Sequence, residues 1–300
     1  GDRFVAAVSM IGSAPAAVPL ASHGLRGLSA ILSRSRRPLV VTGAGASTES
    51  GIPDYRSPQG SYSVGHKPMT YPEFTRASPN RQRYWSRSYL GWRLFARAQP
   101  NAIHYAVAQL ERQGIVQHVI TQNVDGLHRL AGSQSVTQLH GDAHEVICTQ
   151  CRAVTPRTEM QRRMEERNPR WAQHSATSWA DMRPDGDLET ALDPRQFVVP
   201  ACLQCGGNLK PNVVMFGENV PKPVVEECYR QVDSCDLLLA LGTSLQVPSI
   251  FRFFRHAHKA STPIAIINIG PTRGDDIATF KLEALCSDVA PRLAEAFGQG

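Results

Sequence analysis

Residues 38–57 read PLVVTGAGASTESGIPDYRS, and this stretch decides the fold class. The short apolar run 38–42 ends in Gly43-Ala44-Gly45, which is typical of a buried parallel strand that leads into a tight turn. Such a turn places backbone N–H groups and a helix N-terminus where a pyrophosphate can bind. Glycines also occur in strand–helix turns for steric reasons alone, so the turn by itself is a weak indication of a dinucleotide site.

The residues that follow argue against a hydride-transferring dehydrogenase. Thr48 stands where the usual dinucleotide fingerprint has its third glycine, and no second strand with a ribose-binding acid follows about twenty residues on. The chain continues instead into the loop 51–57, which carries Arg56. An enzyme that breaks the nicotinamide–ribose bond needs to clamp and strain the dinucleotide. The pattern therefore favours glycosyl chemistry over hydride transfer.

Three further apolar runs resemble the first. Residues 116–121, 237–241 and 264–267 are each followed closely by residues such as Gly, Asn, Gln, Ser or Asp. Because the carboxyl ends of parallel strands share one edge of a sheet, these ends predict one ligand crevice. The expected fold class is α/β: a doubly wound parallel-sheet, Rossmann-like domain with a smaller four-cysteine zinc-ribbon and helical domain.

Helical periodicity appears between these runs. Residues 25–37 have three apolar side chains on one face, and Asn101 is placed to cap a helix with an apolar face of its own. Residues 81–97 carry five aromatic side chains near helical spacing, a pattern more typical of core packing than of a ligand site. Residues 52–80 are rich in proline and polar residues, which predicts loops.

Seven cysteines favour a metal site over a disulfide framework. Four of them form two CxxC pairs, Cys148 with Cys151 and Cys202 with Cys205, and three are left over. An odd count with this spacing fits a reducing compartment and one tetrahedral zinc, which four protein ligands would make structural. Two redox-active CxxC pairs are the alternative. Between the pairs we expect a short helix at 159–167 and a Pro-Asp-Gly turn at 184–186.

Composition limits the remaining classes. The hydrophobic share is 42%, and no apolar run approaches the length of a membrane-spanning helix. The net charge is +6, with basic residues scattered and not grouped in a block, so we expect neither a membrane nor a nucleic-acid partner. Residues 1–24 are rich in Ala, Pro, Ser and Val and are expected to form a flexible tail or the remnant of a targeting segment.

At this point the chain resembles the sirtuin family of NAD-dependent protein deacylases. The resemblance spans about three-quarters of the chain, with the motifs in the family's order. They are GAGASTESGIPDYRS (43–57), TQNVDGLH (121–128), LHG (139–141), CTQC and CLQC, KPNVVMFGE (210–218), GTSLQV (242–247) and NIG (268–270). The RQRYW run at 81–85, the long insert between the cysteine pairs and INIGPTRGDD (267–276) are similar to the class II branch, the sirtuin 4-like and bacterial members.

The resemblance implies a set of NAD-binding residues. They fall on the first turn, the loop after it, the QNVD segment and the ends of the last two strands. They are Gly43, Ala44, Gly45, Ser47, Thr48, Gly51, Asp54, Tyr55, Arg56, Gln122, Asn123, Val124, Asp125, Gly242, Thr243, Ser244, Asn268, Ile269, Gly270 and Cys286. An Asn–Asp pair suits a carboxamide, which presents both a donor and an acceptor. The alternative for Asn123 and Asp125 is a helix cap before Leu127, and for Cys286 a small buried apolar residue.

The resemblance makes His140 and Asn123 the candidate catalytic residues. In the implied reaction the acyl-lysine oxygen attacks the ribose as nicotinamide leaves, and His140, expected near neutral pKa, takes a proton from a ribose hydroxyl. The acyl group ends on ADP-ribose. His104 and His128 are expected to be structural.

The implied substrates are acylated protein lysines. An extended peptide would lie against the segments that contain Val213, Met215, Phe216, Gly217 and Val247. Some relatives select malonyl or succinyl lysine with a Tyr and an Arg three residues apart on the helix before PNAIH. Ser86 and Tyr89 stand at those places, which predicts a preference for neutral acyl groups.

Other functions stay open from the sequence. A protein ADP-ribosyltransferase or a lipoamidase could use the same fold, and a silent NAD-binding adaptor or a nucleic-acid-binding ribbon are further alternatives. We expect a tail at 1–24, a Rossmann-like domain at 25–143 and 216–300 that includes a helical loop module at 55–98, and a zinc-ribbon domain at 144–215. We expect a monomer in the bacterial cytoplasm, or alternatively in the mitochondrial matrix.

Overall fold

The computed structural model describes residues 22–298, except 59, 64, 174–183, 185–187 and 189–190. The strands in chain order are β1 (Pro38–Thr42), β2 (His118–Thr121), β3 (Val136–Gln138), β4 (Gly141–Cys148), β5 (Val154–Pro156), β6 (Leu209–Val213), β7 (Leu237–Leu241), β8 (Ile264–Ile267) and β9 (Phe280–Leu282). The helices are α1 (Ser22–Arg34), α2 (Tyr71–Arg76), α3 (Ser78–Phe95), α4 (Ala102–Arg112), α5 (Leu127–Leu130), α6 (Arg157–Arg167), α7 (Pro169–Ala172), α8 (Lys222–Ser234), α9 (Pro248–Lys259) and α10 (Cys286–Phe297).

Six parallel strands form the larger sheet, in the order β3-β2-β1-β7-β8-β9. The chain runs outward from β1 to β3 on one side and from β7 to β9 on the other, so the strand order reverses between β1 and β7. Leu39 pairs with His118 on one side of β1 and with Leu238 on the other. A ligand crevice forms at such a reversal, outside the carboxyl ends of the strands.

The alternation of side chains along the strands gives the sheet two apolar faces. Val40 and Leu239 belong to one core, which packs against α1, α4 and α10. Leu39 and Leu238 belong to the other core, which packs against α8 and α9. Because successive strand residues point to opposite faces, a fully apolar strand requires cover on both sides. The predicted doubly wound sheet is confirmed.

The four predicted strands are all present in this sheet. The second begins at His118, two residues later than predicted, and the first helix begins at Ser22 and ends at Arg34 instead of spanning 25–37. The sequence prediction missed the two outer strands, β3 and β9. Each has three residues and only one that is buried, so neither shows the apolar run that marks an inner strand.

Three antiparallel strands form the smaller sheet, in the order β5-β4-β6. Cys148 pairs with Leu209, and the register shifts between Asp142 and Val146, where the strand bulges. Helix α6 confirms the helix predicted at 159–167. Of the predicted Pro-Asp-Gly turn, Asp185 and Gly186 lie outside the described residues.

Helix α3 supplies the aromatic half of a third core. Tyr84, Trp85 and Tyr89 are buried there against Val146 and Met160 of the small-sheet region. The prediction that the aromatic stripe packs in a core is confirmed. The proposed division of the chain at 143/144 and 215/216 stays a prediction.

The predicted loop region 52–80 contains helix α2 as well as loops. Thr70 and Glu73 form a capping box at the start of α2. The Thr70 side chain accepts from the Glu73 N–H, and the Glu73 side chain accepts from the Thr70 N–H. Across the described ranges, none of the helices is both long and apolar enough to span a bilayer.

Candidate active site and metal centre

The turns after β1 and β7 meet at the point where the strand order reverses. The Gly45 N–H donates to the Gly242 carbonyl at 3.0 Å. A Cβ on Gly45 would lie 2.8 Å from that carbonyl oxygen, and a Cβ on Gly242 would lie 2.7 Å from the Ala46 nitrogen. Gly242 also has a φ of +59°, a conformation that side chains disfavour. Both glycines are therefore required for the close approach of the two turns.

A glutamine joins these two turns to the end of β2. The Gln122 side chain donates to Thr243 Oγ1 at 2.9 Å and to the Thr42 carbonyl at 3.3 Å. Gly43 lies against the same threonine, where a Cβ would come within 2.7 Å of Thr243 Cβ. Gly43, Gln122 and Thr243 thus line the centre of the crevice, with Ser244 next along the chain.

Asn123 and Asp125 belong to one hydrogen-bond network with Ser47. Ser47 Oγ donates to Asp125 Oδ2 at 2.6 Å, and Asn123 Nδ2 donates to Ser47 Oγ at 2.9 Å and to the Gly43 carbonyl at 3.0 Å. Burial raises the pKa of Asp125. Its other oxygen accepts from the Leu127 N–H at the start of α5, but the N-cap of that helix is Gly126, so neither Asn123 nor Asp125 is its N-cap residue. This bond leaves Oδ2 to hold Ser47 in the crevice.

Two buried histidines, His104 and His128, lie next to this network. His128 bonds Thr42 Oγ1 through Nε2 at 2.9 Å, and the ring of His104 packs edge-on against it at 4.8 Å. His104 is the third residue of α4 and accepts from the Asn101 N–H, completing the predicted cap of that helix. Burial lowers the pKa of His104 to about 4 and that of His128 to about 3. Both are therefore neutral structural residues, as predicted.

His140 lies where the crevice meets the small sheet. Its Nδ1 is 3.0 Å from the Gln122 carbonyl, which can only accept, so Nδ1 carries the proton. Nε2 therefore has the lone pair, and it accepts from Ser249 Oγ at 2.8 Å. Burial lowers the pKa of His140 to about 4. The expectation of a near-neutral pKa is wrong, because desolvation disfavours the imidazolium.

The loop after the first turn reaches toward the substrate segment. Asp54 Oδ1 accepts from the N–H groups of Arg56 and Ser57, which shapes the bend. The Tyr55 ring packs 5.5 Å from Tyr62 and 5.9 Å from Phe216, measured between centroids. The Arg56 guanidinium lies 5.2 Å over Tyr62. The loop begins at Gly51, whose φ is +85°. Thr48 is exposed at its start and donates to the Gly45 carbonyl at 3.2 Å.

The segment predicted to bind a peptide is anchored at both ends. The Tyr71 N–H donates to the Phe216 carbonyl at 2.8 Å, and Phe216 is 37% exposed. Lys210 is buried and donates to the Val213 carbonyl at 2.6 Å, with Glu218 3.3 Å away. Met215 is buried, Gly217 follows with a φ of +80°, and Val247 packs at the start of α9. The predicted substrate residues Val213, Met215 and Phe216 thus sit on one braced segment.

The ends of β8 and α10 form the other end of the crevice. Asn268 Nδ2 donates to the Ile269 carbonyl at 2.7 Å, and the Gly270 N–H donates to Glu283 at 3.1 Å. Cys286 is buried, and its thiol donates to the Ile267 carbonyl at 3.4 Å. Burial raises the pKa of Cys286 to about 12, so the thiol is neutral and not a nucleophile.

The four CxxC cysteines converge at the tip of the small sheet. Their sulfur atoms all lie within 4.8 Å of one another, and the Cys148–Cys205 and Cys151–Cys202 pairs are 3.5 Å and 3.7 Å apart. Tetrahedral zinc with ligands at ~2.3 Å separates sulfurs by about 3.8 Å, so the geometry fits one zinc and no disulfide. The Gln150 N–H donates to Cys148 Sγ, as a thiolate requires. The metal prediction is confirmed in its ligands.

Fold and site together define a class: a dinucleotide-binding α/β enzyme with a four-cysteine zinc module and a histidine, His140, between them. The model of the Sir2 family matches residues 43–249. The chain belongs to the Sir2 family, the sirtuins. It is 44% identical over 280 residues to the human NAD-dependent protein lipoamidase sirtuin-4, mitochondrial, covering 92% of this chain and 88% of that protein.

Further relatives and solved structures agree. NAD-dependent protein deacetylase 1 of Streptomyces coelicolor is 48% identical over 261 residues, covering 87% of this chain and 86% of that protein. A solved complex of Sir2 with a p53 peptide and NAD+ superposes with a TM-score of 0.71 at 28% identity, covering 92% of this chain and 99% of that one. The sirtuin resemblance is confirmed, and its sirtuin-4-like and bacterial relatives are the ones the motifs indicated.

Sequence reasoning missed two side chains that contact this region. Ser249, on the second residue of α9, bonds the base, and its neighbours Pro248 and Ile250 give no sign of that role. Arg157 begins α6 and is 1% exposed. The sequence places it among the scattered arginines of the insert, where a solvated surface residue is the ordinary expectation.

Proposed function

We propose that this chain removes acyl groups from protein lysines by transferring them to the ADP-ribose part of NAD. Family membership supports NAD-dependent deacylation, since relatives are named NAD-dependent protein deacetylases, deacylases and lipoamidases. The observation that carries the proposal is His140, whose Nε2 lone pair is held at the junction of the crevice and the peptide segment. NAD supplies a ribose that accepts the acyl group, with nicotinamide as the leaving group.

The two glycine turns would hold the phosphates of NAD. Gly43, Ala44 and Gly45 would border the phosphates, and the close approach of Gly45 to Gly242, whose carbonyl accepts from the Gly45 N–H, leaves no side chain in the way. Ser47 and Thr48 would complete the phosphate site. The loop that begins at Gly51 would close over the dinucleotide with Asp54, Tyr55 and Arg56. The adenosine half would lie along Gly242, Thr243, Ser244, Asn268, Ile269, Gly270 and the backbone of Cys286.

The QNVD segment would take the nicotinamide end. Gln122 would bond the ribose, because its side chain already lies between the two glycine turns. Asn123 and Asp125 would face the carboxamide, with Val124 beside them. Since the Ser47 bond fixes the orientation of both side chains, they need little reorganisation when the ligand binds.

His140 would act as the general base. The Gln122 carbonyl keeps the proton on Nδ1 and leaves Nε2 as the acceptor. The lowered pKa ensures that the ring is neutral throughout the neutral range, so the basic form is always present. Ser249 Oγ donates to the Nε2 lone pair and would give way to a ribose hydroxyl.

The peptide would lie between the segment with Met215, Phe216 and Gly217 and the segment that ends at Val247. Main-chain pairing between two such segments binds peptides with little sequence preference. Val213, Met215 and Phe216 would line the path of the acyl-lysine side chain. The zinc stays structural, because its four cysteine ligands leave no position for a substrate.

An assay that identifies both products tests the proposal. The chain is incubated with NAD and a panel of acyl-lysine peptides, including lipoyl-lysine because the human relative is named a lipoamidase. Mass spectrometry should find free lysine, nicotinamide and O-acyl-ADP-ribose in equal amounts. A peptide or protein that gains ADP-ribose while keeping its acyl group would identify an ADP-ribosyltransferase instead. No NAD consumption with any acyl peptide would overturn the proposal.

A further inference from the structure

Strand β4 bulges where it passes the QNVD segment (122–125). Its ladder with β6 includes Asp142 and then continues at Val146, so the pairing skips residues 143–145. A bulge bends a strand and re-aims its side chains, and bulges are over-represented next to active sites. The skipped residues are therefore available for contacts with another part of the molecule.

The bulge binds the backbone of the QNVD segment at two successive residues. The Ala143 N–H donates to the Val124 carbonyl at 2.9 Å. His144 Nε2 lies 3.0 Å from the Asp125 carbonyl, which can only accept, so Nε2 carries the proton. Across the described part of the chain, no other group bonds to the Asp125 carbonyl. The bulge thus fixes the main chain of the segment beside the predicted carboxamide site.

The ring of His144 is held in place by its neighbours. It packs edge-on against Trp92 at 5.2 Å and lies 6.1 Å from the ring of Phe95, measured between centroids. A Cβ on Gly126 would lie 3.6 Å from the ring, so the ring also covers that turn. The His144 N–H donates to Asp142 Oδ1 at 2.8 Å, which fixes the main chain of the bulge. The imidazole is therefore oriented by packing before any ligand binds.

Asp125 is consequently fixed through its main chain as well as through its side chain. Its Oδ2 accepts from Ser47 Oγ and its Oδ1 from the Leu127 N–H. These two bonds orient the carboxylate, whereas the bond from His144 holds the backbone from which the side chain projects. A binding group keeps its geometry only when the surrounding residues hold it to within about 0.5 Å. Loss of the His144 bond would therefore loosen the whole carboxamide site.

We propose that His144 is a positioning residue for the nicotinamide end of NAD. By holding the Asp125 main chain, it keeps Asn123 and Asp125 in the geometry that recognises a carboxamide. The same geometry binds free nicotinamide, the product that carries this carboxamide. The inference rests on the proposed function, which puts the nicotinamide end at these two residues. His144 should therefore affect ligands that carry the carboxamide and leave the binding of ADP-ribose unchanged.

Two substitutions separate the hydrogen bond from the packing of the ring. His144→Phe keeps an aromatic ring in the same packing but cannot donate to the Asp125 carbonyl. His144→Gln keeps an N–H donor at a similar distance from the main chain. His118→Phe is the matched control, because it also removes a histidine hydrogen bond, the one to Thr137. His118 begins β2 and so lies at the end of the strand opposite the crevice.

Calorimetry with NAD and with ADP-ribose, which lacks the carboxamide, tests the inference. In His144→Phe the Kd of NAD should rise by about 3- to 10-fold, the effect of one hydrogen bond, while the Kd of ADP-ribose stays unchanged. His144→Gln should restore most of the NAD affinity, and His118→Phe should change neither Kd. Equal changes for the two ligands in His144→Phe, or an unchanged Kd of NAD, would overturn the inference.

Turnover gives a second readout and separates this inference from the proposed function. With an acyl peptide, the inhibition constant of nicotinamide should rise by about 3- to 10-fold in His144→Phe, while KM for the peptide stays unchanged. If no acyl peptide reacts with NAD, the deacylase function fails, and the calorimetric comparison still decides the role of His144. Should His144→Phe not fold, His144→Asn replaces it, because its amide is one methylene too short to reach the carbonyl.

Discussion

The six-stranded sheet and the cysteine-bearing small sheet differ in what holds them together. The six-stranded sheet lies between two apolar cores, and its central strands are fully buried. The small sheet has three strands, one core shared with α3, and four cysteines at its tip. A short sheet with one covered face is marginally stable by itself. The first region is ordered by burial, whereas the second also needs a metal.

The difference also separates the roles of the two regions. Glycine turns and a fixed side-chain network form the crevice of the large sheet, which requires only the chain. The small sheet carries Val213, one of the residues predicted to contact the substrate, and its strand β5 leads directly into α6. The dinucleotide end of the site should therefore tolerate metal loss better than the acyl end does.

The largest expected effect comes from removing one zinc ligand. Cys148→Ser should abolish zinc binding, lower the free energy of unfolding by about 5 kcal/mol or more and lower Tm by about 10 °C or more, because structural zinc supplies folding energy. Metal analysis should find about one zinc per chain in the unmodified protein. Cys235→Ser is the control, since Cys235 lies outside the cluster and a hydroxyl can also donate to the Val232 carbonyl. A zinc-free protein with unchanged Tm would contradict the statement that the small sheet needs a metal.

The second prediction concerns the base between the two regions. His140→Ala should lower kcat by about 10²–10⁴ while zinc content and NAD affinity stay near those of the unmodified protein, since general-base catalysis is lost after the site has assembled. Turnover is measured by nicotinamide release and NAD binding by calorimetry. His256→Ala, on an exposed histidine that bonds Asp233, is the matched control. Turnover of the His140 variant equal to that of the control would remove His140 from the mechanism.

The smallest effect of a single substitution should appear in the acid sensitivity of the large sheet. Burial lowers the folded-state pKa of His104 to about 4, of His128 to about 3 and of His140 to about 4. A lowered pKa means that unfolding takes up a proton. The stability is therefore fully present above pH ~6.5 and is lost as pH falls through the folded-state pKa. The free energy of unfolding should fall steeply between about pH 6.5 and pH 4.

One substitution isolates a single histidine of the three. His104→Gln removes the titration but keeps an acceptor for the Asn101 N–H, since glutamine is the usual residue at this place of a capping box. The free energy of unfolding is measured in urea titrations at several pH values. Its slope against pH should fall by about 1.4 kcal/mol per pH unit, because the variant takes up one proton fewer on unfolding. Zinc loss at low pH should affect the variant and the unmodified protein equally. The difference between their two slopes therefore measures the contribution of His104. An unchanged slope would show that His104 does not contribute.

The sequence by itself determined the parts of this protein that local patterns encode. Mostly apolar runs of four to six residues identified the inner strands, since a strand buried on both faces has few polar positions. The CxxC spacing identified all four metal ligands because each pair is held by one short turn. The glycine turn and the QNVD and LHG motifs located the crevice, because the carboxyl ends of parallel strands share an edge.

Only the tertiary structure decided which side chains meet across long separations. Nothing near Ser249 in sequence indicates a bond to His140, which lies 109 residues earlier. Arg157 looks like one more exposed arginine in the sequence, whereas in the structure it is buried and its guanidinium lies over two tryptophan rings. The lowered pKa of His140 likewise depends on burial by elements that are distant in sequence. Periodicity reports the surroundings within a turn or strand, whereas charge, burial and cavity shape depend on how distant elements pack.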